Sequence, residues 1–147
     1  MEQKFESSVR IPLGLFIKNH TPPDSRIYLE PIGIIGYYSQ RYIYDDAGLI
    51  SPQLIKFSRY GTDAAARYLK ILYARPQYLI IRNRYLNEFY RLTSINTDFE
   101  MIHQINYVRR GHDEGFALFR HIAGEIQKSP FITKRGEDTG ATEVQIR

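Results

Sequence analysis

Residues 26–46, RIYLEPIGIIGYYSQRYIYDD, decide the fold. Two short apolar and aromatic segments, 26–30 and 41–45, read as strands, and each ends in carboxylate: Glu30 in the first, Asp45 followed by Asp46 in the second. The turn formers Thr21-Pro22-Pro23-Asp24 introduce one, and Ala47-Gly48 follow the other. Between them, Pro31 to Ser39 sets apolar residues around Gly33 and Gly36, which suits a buried short helix or turn whose glycines allow close backbone approach. Strand, helix, strand in this order predicts parallel pairing with the connection on one face. Polar groups at the carboxyl ends of such strands are where open α/β sheets bind ligands.

Outward from this unit, Ser51-Pro52 predicts a helix start through Leu54 and Phe57, and Gly61-Thr62-Asp63 a cap for a second helix from Ala64 to about Tyr73. Pro76 ends it. The uninterrupted run Gln77-Tyr78-Leu79-Ile80-Ile81-Arg82 predicts a central strand covered on both faces. Residues 99–109 and 116–121 flank the turn-rich Gly111-His112-Asp113-Glu114-Gly115, the pattern of an antiparallel hairpin. The expected fold class is therefore α/β, a mixed and mostly parallel sheet flanked by helices with a C-terminal antiparallel hairpin. One α/β domain over 1–123 and a mobile tail over 124–147 complete the reading.

A chain of 147 residues, 43% hydrophobic and 24% charged, has the composition of a globular protein. It contains no cysteine, which excludes structural disulfides, thiolate chemistry and cysteine-ligated zinc. The apolar run 11–17 near the N-terminus is too brief for a signal core or a membrane span and reads as a short helix on the domain. The formal charge of +4 is spread over Arg59, Arg67, Arg75, Arg82, Arg84 and Arg91, without the dense patch that several phosphate contacts require, so no nucleic-acid partner is expected.

Motif chemistry is sparse. Glu30 with Asp45 and Asp46 can act as an acid and base pair or hold a divalent cation, and aspartates beside Ala-Gly equally cap helices and fix turns. His20, His103, His112 and His121 lack the spacing of a helical metal site, so no metal or other cofactor is expected. Ser39, Ser51 and Ser58 lie outside any G-x-S-x-G elbow, and Gly33-Ile34-Ile35-Gly36 lacks the further glycine and lysine of a phosphate loop. Tyrosine is the unusual component: all twelve fall between Tyr28 and Tyr107. Tyr37, Tyr38 and Tyr44, near the acidic strand ends, are the candidate ligand contacts, since such rings stack on sugars or bury a body with a wet hydroxyl.

The stretch TPPDSRIYLEPIGIIGYYSQRYIYDDAGLISP, followed by ARPQYLIIR, resembles the soluble domain after the membrane helices of bacterial GT-C type glycosyltransferases that use polyprenyl-phosphate sugars. Protein mannosyltransferases and aminoarabinose transferases are similar in outline. The likeness runs over 11–82, with 107–120 a looser fit, and rests on Thr21-Pro22-Pro23-Asp24, Glu30-Pro31-Ile32-Gly33, Gly36-Tyr37-Tyr38-Ser39, and Asp45 followed by Gly48-Leu49 and Ser51-Pro52. It implies an extracytoplasmic domain of a membrane enzyme that moves a sugar from a lipid phosphate to an acceptor. In such enzymes the catalytic acid lies between early membrane helices that this stretch lacks, so no catalytic residue carries over.

The expectation is thus a noncatalytic domain at the extracytoplasmic face of the plasma membrane, cytoplasmic if the chain is complete as given. Its partner would be a membrane-embedded glycosyltransferase region in the same or a separate chain, with a glycan or polyprenyl-phosphate sugar positioned by Glu30, Tyr37, Tyr38, Arg41, Tyr44, Asp45 and Asp46. Two rivals remain: a free-standing enzyme using Glu30 and Asp45 as acid and base, and a protein-protein module with an exposed apolar patch around 11–16.

Overall fold

The computed structural model describes residues 2–30 and 33–122, and the expected tail over 124–147 lies outside them. The chain begins with α1 (Glu2–Phe5), passes through a π turn (Glu6–Arg10) and continues into α2 (Ile11–His20). Phe5, Val9, Leu13 and Ile17 are all buried. A stripe at every fourth residue overshoots the 3.6 of an α-helix, and the wider π turn takes up the difference between Phe5 and Leu13. The same turn admits Pro12, whose ring would collide with the carbonyl four residues back, while the Ile11 amide reaches back to the Glu6 carbonyl.

β1 (Arg26–Leu29) is followed by α3 (Gly33–Ser39) and β2 (Tyr42–Asp45), a parallel pair in which Ile27 stands beside Ile43 and Leu29 beside Asp45. A 3-10 helix (Pro52–Tyr60) and α4 (Ala64–Ala74) then lead to β3 (Tyr78–Arg82), parallel to the other side of β1. Asp63 caps α4 by accepting from the Ala66 amide at 2.9 Å. A short 3-10 turn (Asn83–Tyr85), α5 (Leu86–Leu92) and α6 (Ile95–Asp98) precede β4 (Phe99–Ile105). The small strands β5 (Val108–Arg109) and β6 (His112–Asp113) pair with each other, and β7 (Phe116–His121) lies antiparallel between β3 and β4. The five-stranded order is β2-β1-β3-β7-β4.

The mixed α/β class, the central β3 and the antiparallel closing pair match the sequence expectation. Strand alternation divides the core: Ile27, Leu29, Ile43, Ile80 and Leu118 face α1, α2 and α3, whereas Tyr28, Tyr44, Leu79, Ile81 and Phe119 face α4, α5 and α6. Gly14 in α2 is required by this layering, since a side chain there would begin 2.7 Å from Tyr38 Cβ of α3.

Two local expectations need correction. The segment after Ser51 is helical as expected, in 3-10 form, but Ser51 does not cap it: its hydroxyl donates to the Ile43 carbonyl at 3.4 Å and accepts from the Asp45 amide at 3.2 Å. The hairpin arm ends at Ile105 and does not run to 109. The Asp113 carboxylate, accepting from the Tyr107 and Gly115 amides at 3.1 and 2.8 Å, folds the intervening chain into the separate β5-β6 pair. Those two bonds and one from Asn83 hold its pKa below the usual value, against the opposing pull of burial.

Candidate functional site: the carboxyl edge and the β2 rim

Because β1, β2 and β3 are parallel, Glu30, Asp45, Asp46 and Arg82 arrive at one edge of the sheet. The chain leaves β1 toward α3 on one face and β3 toward α5 on the other, so the connections diverge between these two strands, the place where open α/β sheets bind ligands. Arg82 Nε donates to Glu30 Oε2 at 2.9 Å and ties the two strand ends together.

Asp46 sits in a largely buried network. Lys70, 6% exposed in the middle of α4, donates to the Asp46 carboxylate at 3.1 Å and to its backbone carbonyl at 2.7 Å. The Tyr28 hydroxyl donates to the same carboxylate. Arg67 Nε stands 3.7 Å from it, a charge contact too long for a hydrogen bond, and the guanidinium lies 4.7 Å above the Tyr85 ring. Burial first, and then the Asp46 charge, push the Tyr28 phenol well above its ordinary pKa, which keeps it a donor at neutral pH.

Asp45 is 1% exposed and takes up two backbone donors, the Leu49 amide at 2.7 Å and the Ile50 amide at 3.1 Å. It is the inner brace of the turn that carries Gly48 at positive φ. Arg41 is likewise engaged in the framework: its guanidinium reaches the Lys18 and Thr21 carbonyls at 2.7 and 2.8 Å and the Thr21 hydroxyl at 3.0 Å, where a cation suits the end of α2. Tyr44 is buried and accepts from Arg26 at 2.8 Å. Tyr38 covers Gly14.

Tyr37 alone of the predicted contacts stands well out, 77% exposed. With Gly33, Gly36, Arg41, Tyr42, Ile43 and Ile50 it lines a cleft of about 440 Å³ beside β2, which among the described residues is an edge strand paired with β1. The structure thus brings Glu30 and Asp46 into ion pairs at the carboxyl edge, and Tyr37 and Arg41 to the cleft. Tyr38, Tyr44 and Asp45 go to packing and bracing.

Sequence reasoning missed Lys70, although its spacing of four from the buried Ala66 and Ala74 puts it on the inner face of α4. It also passed over Tyr42 as a contact, which stands half exposed at the start of β2 with its ring against the buried Tyr44. Among the described residues no group of His, Asp and Glu is arranged to hold a metal ion, and no helix is long and apolar enough to cross a membrane. No curated protein and no solved structure matches the chain. Residues 2–120 match the domain of unknown function DUF8728, and the chain belongs to that family.

Proposed function

We propose that this chain is a noncatalytic extracytoplasmic domain of a glycosyltransferase that uses lipid-linked sugar, and that it presents the β2 cleft to acceptor or donor. The observation that carries the reading is the convergence of the segments behind the family likeness. Gly33, Gly36, Tyr37 and Ile50 share one cleft, and Asp45 and Ser51 lock the turn bearing Gly48 and Leu49 against it. Exposed tyrosine faces beside an arginine suit the apolar faces and hydroxyls of a sugar. The rival acid and base pair lacks such support, because Glu30 is held by Arg82 and Asp45 by two amides.

Titration of the isotope-labelled chain with glycans and with short polyprenyl phosphates, followed by NMR, tests this. Shifts concentrated in 33–50 are expected. Spectra unchanged throughout that range at saturating ligand would remove the binding role.

A further inference from the structure

Beside the paired charges of the carboxyl edge, two guanidinium groups are left over. Arg67, on α4, has a side chain 15% exposed and stands 3.7 Å from Asp46, beyond hydrogen-bonding distance. Its Nε is buried, and no described residue accepts a hydrogen bond from this side chain. Arg84, in the 3-10 turn that follows β3, is exposed and likewise has neither an acceptor nor an ion pair among the described residues. A buried donor without an acceptor costs free energy, so the Arg67 fork calls for a partner from outside the chain.

One ring holds both groups. The two guanidinium carbons lie 4.7 and 4.8 Å from the centre of the Tyr85 ring. A cation–π contact positions such a group and leaves N–H donors at its rim open to an acceptor. The place in the fold points the same way: Tyr85 closes the turn that leaves β3, where the connections from β1 and β3 diverge and open α/β sheets bind ligands. The opposing charges nearby are accounted for. Asp46 is held by Lys70 and Glu30 by Arg82, while Glu88, one turn along α5, pairs with neither arginine.

We infer that Arg67 and Arg84, framed by Tyr85, bind a phosphate dianion, either free or as the terminal group of a phosphomonoester. Planar guanidinium forks match pairs of phosphate oxygens, and two full positive charges match a dianion. A monocarboxylate would leave one of them uncompensated. The inference goes beyond the sugar-related reading and uses no residue of the β2 cleft.

The isotope-labelled chain is titrated with inorganic phosphate and, separately, with glycerol 3-phosphate, at about pH 8 so that both are dianions and with ionic strength held constant by sodium chloride. The arginine Nε–H resonances are the readout. Saturable shifts at Arg67 and Arg84 are expected, and whichever of the two compounds binds more tightly separates the free ion from the ester. Arg84→Gln and Arg67→Gln should each weaken binding by about tenfold or more. Arg59→Gln, which removes an arginine set over Tyr60 in a similar way, should leave it unchanged. Arg84 is exposed, so its variant keeps the fold, and circular dichroism verifies this. The inference is overturned if neither arginine shows a saturable shift, if acetate produces equal shifts, or if Arg84→Gln binds as wild type. Binding at the β2 cleft is read at other residues, 33–50, and with glycans that carry no phosphate, so the two readings fail separately.

Discussion

The carboxyl edge of the sheet and the rim beside β2 are built from neighbouring residues, yet they spend their polar groups in opposite ways. At the edge, Glu30 pairs with Arg82 and Asp46 with Lys70, and little charge is left for a ligand. On the rim, Asp45 turns inward to hold amides, and what remains outside is tyrosine and aliphatic surface. A cluster of acids in sequence therefore serves to build a platform, and the groups it leaves exposed are aromatic and apolar. The comparison breaks if changing the acids leaves stability intact, or if changing the rim unfolds the chain.

The largest effect is expected from Asp46→Ala. Removing this carboxylate leaves the Lys70 ammonium and the Tyr28 hydroxyl without their shared acceptor in a buried setting, and breaking such a pair costs about 3–5 kcal/mol. Urea unfolding measures it. The Asp46→Ala, Lys70→Met double variant should recover part of the loss, because the buried ammonium goes with its partner and only Arg67, set over the Tyr85 ring, loses a charge contact. Equal stability of Asp46→Ala and wild type would show that the network is not an internal structural unit.

Asp45→Ala should cost less, about 1–3 kcal/mol, since two part-buried amide donors lose their acceptor while the turn can open to water. Hydrogen exchange sharpens the test. The Leu49 and Ile50 amides should exchange much faster in the variant, with protection in β1 and β3 retained. Unchanged exchange at these two amides would mean that the carboxylate does not brace the turn.

Much of the fold was legible in the chain. The run through Tyr78 and Ile81 marked a strand buried on both faces, and the stretch between two strand patterns, read as a short helix or turn, holds the helix Gly33–Ser39, because period and punctuation are local properties. The π turn at Glu6–Arg10 was not legible, since it answers to a buried stripe whose partner surface is assembled from distant strands. Ser51 misled because a hydroxyl before proline looks like a cap until Asp45 and Ile43 are folded beside it. The site was less legible than the fold. The nearness of Glu30, Asp45 and Asp46 in space follows from parallel pairing, but their partners Arg82 and Lys70 come from later elements, and only those partners decide whether an acid is free.

The smallest effect on stability is expected from Tyr37→Ala, and it divides the two regions most sharply. The ring is 77% exposed and its nearest aromatic neighbour is Tyr38, at 5.2 Å between centroids and nearly perpendicular. Little area returns to water when it is removed, and a surface change of this kind stays within about 0.5 kcal/mol. Thermal melting should therefore superimpose on wild type while any glycan-induced shifts around Gly33 and Gly36 diminish. A clear loss of stability would make Tyr37 part of the platform, and the division between a charged frame and an aromatic rim would have to be redrawn with the ring on the structural side.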